Sequence, residues 1–171
     1  YKIENLMNSI SMVFQDVYLF EDTIENNIKF GKQNASHEEV VQAAKKARCH
    51  EFIEALPEGY DTIIGEGGAS LSGGEKQRIS IARAMLKDAD IIIFDEATAS
   101  IDPENEDKLK EAIESLTKNK TVIMIAHRLK TIRNADQILV LKDGEIVERG
   151  NHEELIKNDG LYSDLINAKA K

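Results

Sequence analysis

The sequence predicts an α/β fold, a mostly parallel sheet with an inserted α-helical subdomain, and three observations carry that expectation. The apolar runs ISMVF, IIIF and VIMIA are continuous rather than alternating, which is the pattern of strands buried on both faces of a parallel sheet. Helical segments separate the runs, as crossovers between parallel strands require. Each run stops at a residue with chemistry to offer: Gln15, then Asp95 with Glu96, then His127. Ligands of open parallel sheets bind at the carboxyl ends of the strands, so these groups are expected to gather on one edge.

Bulk properties are consistent with this reading. A chain of 171 residues that is 42% hydrophobic and 31% charged can bury one real core, and disorder is not expected. Its formal net charge of -9 argues against nucleic acid or an anionic membrane surface as the main partner, since either asks for a basic field. The single cysteine, Cys49, makes no internal disulfide and no metal cluster; it fits a reducing compartment and is expected to be buried or half-buried in a helix. No apolar run approaches the roughly 20 residues that span a bilayer, and no signal-peptide pattern is present. The chain opens at Tyr1 without an initiator Met, which is expected of a piece cut from a longer polypeptide.

Taken in order, the first run is a strand leading into Gln15. From about Asp22 to Lys87 the pattern is helical throughout, with segments near Thr23 to Phe30, His37 to Cys49, His50 to Leu56 and Glu75 to Lys87, broken by turn material at Pro57-Glu58-Gly59 and Gly65 to Gly68. In LSGGEKQRISIARAML, Ser72 and Glu75 form a capping box. Gly73 and Gly74 are not needed for that box, and each costs roughly 1 kcal/mol against Ala inside a helix. They imply close approach to a helix N-terminus, which is an anion site; the alternative is a capped helix with a permissive turn. Beyond the second strand, Pro103 occupies a helix N1 position after Asp102, and that helix runs to about Lys118. The strand before His127 follows, then a hairpin turning at Lys142-Asp143-Gly144, then short helices near His152 to Asn158 and Leu161 to Ala168.

The paired carboxylates in IIIFDEATASID, Asp95 and Glu96, are unfavourable neighbours unless a cation or a proton separates them. Phosphoryl transfer supplies the cation: Asp95 suits a Mg²⁺ ligand and Glu96 the base that activates water. The alternative is an acidic pair that caps the next helix.

LSGGEKQ upstream of IIIFDEATASID, with strand-terminal Gln15 before both and His127 after, resembles the nucleotide-binding domain of ATP-binding cassette (ABC) transporters over essentially the whole chain. The resemblance implies a P-loop NTPase-type (RecA-like) fold, divided as a Gln-containing strand region (1–21), a helical subdomain with the signature motif (22–88), and the rest of the core (89–171). It implies ATP and Mg²⁺ as cofactors. Gln15 becomes the glutamine that contacts Mg²⁺ and the attacking water and couples to the transmembrane domains; alone it would be a loop amide. Ser72, Gly73, Gly74 and Glu75 become the signature segment facing the γ-phosphate of ATP held by a second ABC ATPase domain. Asp95 becomes the metal-binding aspartate, Glu96 the catalytic base and His127 the γ-phosphate sensor, although a lone strand-end His is more often structural. Asp102 becomes a dimer-interface aspartate, with Ala-Ser-Ile-Asp standing where the family more commonly has Ser-Ala-Leu-Asp.

FQDVYLFEDTIENNIKFG, Thr62 to Gly68 and GNHEELIKNDGLYSDL resemble the exporter type, in which a transmembrane domain is usually fused N-terminally and this domain lies on the cytoplasmic face of the membrane. His37, His50 and His152 match nothing catalytic and are expected at the surface. One departure matters: the chain has no GxxxxGK[ST] phosphate loop, and the look-alike Gly31-Lys32 lacks the upstream Gly and the Ser/Thr. Tyr1 is also too close to Gln15 to be the family's adenine-stacking aromatic. The N-terminal strands and phosphate loop are therefore expected to be missing, leaving the C-terminal two-thirds of the domain, inactive alone. Two rivals remain: a soluble ABC ATPase of DNA repair, chromosome structure or translation, or a non-catalytic dimerisation module. The short Gln15 to Leu71 interval argues against the chromosome type, and the exporter-like tail against the translation type.

Overall fold

The computed structural model describes residues 2–14, 16–65, 69–95, 103–125 and 132–168. It divides into two compact units, Tyr1–Ile125 and Ala126–Lys171. The first opens with a short helix α1 (Ile3–Asn8) and strand β1 (Ile10–Val13), and returns to the sheet much later through β4 (Ile91–Asp95) and β5 (Thr121–Ile125). These three strands form one parallel sheet in the order β1-β4-β5, with Val13 opposite Phe94 and Asp95 opposite Ile125.

Burial on both faces does not hold. Ser11, Val13, Ile92 and Phe94 share one face and are buried, whereas Met12 on the opposite face is exposed and Ile91, Ile93 and Asp95 are half-buried. The two helices packed on the sheet, α5 (Gly73–Lys87) and α6 (Pro103–Thr117), add Ile81, Leu109 and Ala112 to the cluster around Val13, Ile92 and Phe94, and so cover that one face. All five residues of β5 are exposed, and among the described residues its outer edge pairs with no strand.

Between β1 and α5 lie α2 (Ile24–Lys29), α3 (His37–Lys46) and α4 (His50–Glu54), with α3 stopping earlier than its pattern suggests because Arg48 turns to a φ of 55°. The segment is not helical throughout. Asp22–Thr23 (β2) and Ile63–Ile64 (β3) pair as an antiparallel ribbon, each too short for an alternation pattern to show. Thr23, Ser36 and Ser72 cap α2, α3 and α5, the last two through full capping boxes. Apolar side chains of α2, α3, α4 and α5 merge with the sheet's inner face into one core, so the helical insert and the sheet share their hydrophobic stabilisation.

Cys49 lies in that core at the start of α4, fully buried, its thiol donating to the Ala44 carbonyl at 3.4 Å. Burial pushes the thiol up to about 12, and the charge of Arg78 offsets only part of this. Because the folded value is raised, this contribution to stability is complete below the unfolded thiol's ordinary value near 8.5 and is lost as pH rises above it, by roughly 2 kcal/mol at pH 10. Urea unfolding at neutral pH and at pH 10 should show that loss in the parent chain and not in Cys49→Ala.

In the second unit, β6 (Ile138–Lys142) and β7 (Glu145–Gly150) form the expected hairpin, with Asp143 and Gly144 both at positive φ, as a tight two-residue turn requires. Helices α7 (His152–Lys157) and α8 (Leu161–Ala168) pack Leu155, Tyr162 and Ile166 on Ile138 and Val140. The Glu148 carboxylate accepts from the Leu161 and Tyr162 amides at 3.0 and 2.8 Å, capping α8 from the hairpin. Of the three histidines expected at the surface, one is exposed and two are not. His37 is exposed and pairs with Glu25, but His50 and His152 are half-buried, because each ring is held by a tyrosine hydroxyl ten residues on, Tyr60 at 2.8 Å and Tyr162 at 2.7 Å.

Candidate phosphate-binding site

The glycine pair falls inside α5 rather than before it. Ser72 is the N-cap, Gly73 and Gly74 are the first two helical residues and Glu75 the third. The Ser72 hydroxyl accepts from the Glu75 amide at 3.3 Å, and the Glu75 carboxylate accepts from the Ser72 amide at 2.7 Å. Those two bonds leave the Gly73 and Gly74 amides without a partner among the described residues, and leave the Ser72 proton free to donate. Gly74 is buried, whereas Ser72 and Gly73 face solvent. A Cβ built on Gly73 would meet nothing within 4 Å among the described residues, and the backbone there is ordinary. Among the described residues, neither space nor φ asks for glycine at 73.

Asp95 is the last residue of β4, half-buried, on the face turned away from α5 and α6. Its strand ends level with Ile125 of β5, and β1 ends opposite Phe94, so the carboxyl ends of the three strands are aligned. Gln15, Glu96, Asp102 and His127 lie outside the described residues. Asp95 and the Gly-rich helix start can each take their expected part: a carboxylate at a strand end suits a hard cation, and paired amides with a hydroxyl at a helix N-terminus suit a phosphate. Among the described residues one strand-end carboxylate is available to a cation and one helix N-terminus to an anion, and no cluster of three or more metal-ligating side chains accompanies them.

Three polar residues that the sequence did not single out stitch this region together. Gln77, on the second turn of α5, donates from Nε2 to the Phe14 carbonyl at 3.2 Å. Arg83 donates from Nε to the Asn27 carbonyl, from Nη2 to Asn27 Oδ1 and from Nη1 to the Tyr18 carbonyl, at 2.6, 2.6 and 2.8 Å. Burial lowers its guanidinium to about 10, which leaves it charged at neutral pH. Asn27 is fully buried, and its amide group also binds the backbone of Phe20, Asp22 and Thr23. The only cue in the sequence is an Asn set among buried isoleucines in a helical pattern. Beside this network runs an apolar groove of about 330 Å³ lined by Met7, Met12, Phe14, Tyr18, Phe20 and Phe30, with Tyr18 and Phe30 71% and 62% exposed.

Residues 1–99 match the family model described as ABC transporter. An ATP-dependent lipid A-core flippase of Desulfotalea psychrophila is 55% identical over 163 residues, 95% of this chain and 28% of that protein. A β-(1→2)glucan export ATP-binding/permease protein of Brucella melitensis is 51% identical over 164 residues, 96% of this chain and 27% of that protein. A solved structure of a bacterial Atm1-family ABC exporter with ATP bound superposes with a TM-score of 0.85 at 45% identity, covering 98% of this chain and 29% of that one. The chain thus spans little more than a quarter of the length of the relatives it matches. Its α/β architecture, a parallel sheet carrying a helical insert, is that of part of an ABC ATPase domain. By its matched residues and by its fold, the chain belongs to the ABC transporter family.

Proposed function

We propose that this chain is the C-terminal part of the ATP-hydrolysing domain of an exporter-type ABC transporter, which powers transport across a membrane by ATP-driven dimerisation and hydrolysis. The observation that carries the reading is the start of α5: two glycine amides without a partner among the described residues and a serine hydroxyl, with no described atom in front of Gly73. A glycine that none of the described residues requires leaves room for something from outside, and a γ-phosphate held by a second ABC ATPase domain has the right charge. In this reading Asp95 holds Mg²⁺ while Glu96 serves as base, Gln15 orients water, His127 senses the γ-phosphate and Asp102 meets the partner. The bound ion would neutralise charge developing on the transferred phosphoryl group. The apolar groove beside Tyr18 and Phe30 suits a seat for the transmembrane domain, a partner also supported by the word permease in the name of one relative. Such a protein would sit at the cytoplasmic face of a membrane; no described helix here is long and apolar enough to cross one.

The missing phosphate loop gives the test, because its backbone cradle and lysine supply most nucleotide contacts in such proteins. Calorimetry on the 171-residue chain should show Mg-ATP binding no tighter than millimolar, about 4 kcal/mol. Restoring an upstream segment with a phosphate loop should bring binding to the micromolar range and produce Mg-dependent hydrolysis. Micromolar affinity in the chain alone, or no hydrolysis in the extended protein, contradicts the reading.

A further inference from the structure

Arg83 and Lys87 stand one turn apart on α5, and both line the apolar groove beside Tyr18 and Phe30. Like charges at that spacing repel, so the pair asks for a reason. Part of it is internal: Arg83 donates to the Tyr18 and Asn27 carbonyls and to Asn27 Oδ1, and Lys87 donates to the Met7 and Ile10 carbonyls at 2.8 and 2.6 Å. All of these acceptors are neutral. Lys29, Lys32, Arg48 and Lys120 each reach a carboxylate, whereas neither Arg83 nor Lys87 does among the described residues. No Asp or Glu lines the groove either, in a chain whose net charge is -9. The two groups also carry more N–H donors than these bonds take. Arg83 is half-buried, with its guanidinium carbon 5.6 and 5.9 Å from the ring centroids of Phe20 and Phe30, and burial lowers it to about 10 with no carboxylate to offset the effect. Backbone and rings thus hold the cation in place before anything docks, which keeps the ordering cost of a new ion pair low.

We propose that the groove takes an acidic amphipathic segment of the transmembrane domain's cytoplasmic loops, whose apolar side chains settle against Met12, Tyr18 and Phe30 while an Asp or Glu carboxylate meets Arg83 and Lys87. This rests on the function proposed above, which seats the transmembrane domain here, and adds the chemistry by which that seat selects its occupant. A groove of about 330 Å³ has room for a few side chains, so one carboxylate among apolar residues fits where a run of charges does not. Apolar walls keep water from screening the new pair. A basic segment would meet two like charges in the same place and is rejected.

The test probes the 171-residue chain with overlapping synthetic peptides that cover the loops between membrane-spanning segments of the full-length transporter. Peptides that bind should carry an Asp or Glu flanked by apolar residues. Replacing that residue by Asn or Gln should weaken binding about tenfold, and replacing it by Lys about 100-fold. Raising the salt from about 0.05 M to about 0.5 M should weaken the acidic peptide and leave its amide twin nearly unchanged. In the full-length transporter, Lys87→Glu should lower transport about tenfold, and exchanging the identified acid for Lys in the same protein should restore it. Rescue is the informative readout, because Lys87 also ties Met7 and Ile10, and a merely structural loss is not repaired from another domain. Bound peptides without a carboxylate, equal binding of acid and amide peptides, or no binding at all overturns the proposal. So does binding to phosphatidylglycerol vesicles in place of the peptides, unchanged transport in Lys87→Glu, or a loss that the exchange leaves unrepaired. If Lys87→Glu does not fold, the peptide arm decides, since it needs no variant of this chain. A wild-type transporter that does not turn over Mg-ATP overturns the functional reading and this proposal with it; one that does so while the peptide arm fails sinks this proposal alone.

Discussion

Replacing Glu96 with Gln in the full-length protein should lower ATP turnover by on the order of 10²- to 10⁴-fold, the contribution expected of a general base. The substitution keeps the shape and removes the group that takes a proton from water. Binding should survive, because the proposed metal ligand is the neighbouring Asp95 and not Glu96. Removing one of two adjacent negative charges also relieves repulsion at the end of β4, so on the function proposed above an ATP-bound dimer should persist that in the parent would be lost on hydrolysis. Single-turnover hydrolysis and gel filtration with Mg-ATP measure the two effects. Turnover within tenfold of wild type would remove Glu96 from the base role.

The second large effect should come from Gly73→Arg. Gly73 takes no part in the capping box, is exposed, and has room for a Cβ. The domain should therefore fold with near-parental stability and bind its own ATP normally. What it loses is the approach of a partner's phosphate to the helix N-terminus. Two charge-assisted hydrogen bonds at about 1.5–3 kcal/mol each put the loss of ATP-dependent dimer affinity at roughly 10²-fold or more. The comparison with Glu96→Gln is decisive, because both variants should be inactive while only Glu96→Gln dimerises. If Gly73→Arg dimerises equally well, the glycines are a permissive helix start and nothing more.

What could be read in advance followed from residues whose pattern reports a single physical demand. The apolar runs demanded a parallel sheet, and β1, β4 and β5 form one. Ser72 and Glu75 demanded a helix start, and the box is closed in both directions. Elements too short for periodicity stayed hidden: IENLMN forms the six-residue α1, and β2 and β3 span two residues each. The opposite face of the sheet could not be read either, because an apolar run shows that a strand can be buried on both sides and not that both sides are covered. Gln77, Arg83 and Asn27 were missed for a different reason. A polar residue in an amphipathic helix is ordinarily assigned to solvent, and only long-range contacts show that these three bind backbone in the interior.

The parallel pairing of β1 with β4 has a consequence for synthesis. Ile10 finds its partner in Ile91, 81 residues later in the chain, and the helix that covers the same strand is complete only at Lys87. At a ribosomal rate of about 5–20 residues per second, β1 waits roughly 4–16 s for the strand it pairs with here, β4. The helical insert emerges in that interval and can begin to condense around α3, but its own central helix, α5, arrives last. The β1–β4 ladder is therefore a contact between distant parts of the chain, and it can close only after the whole helical insert has been made.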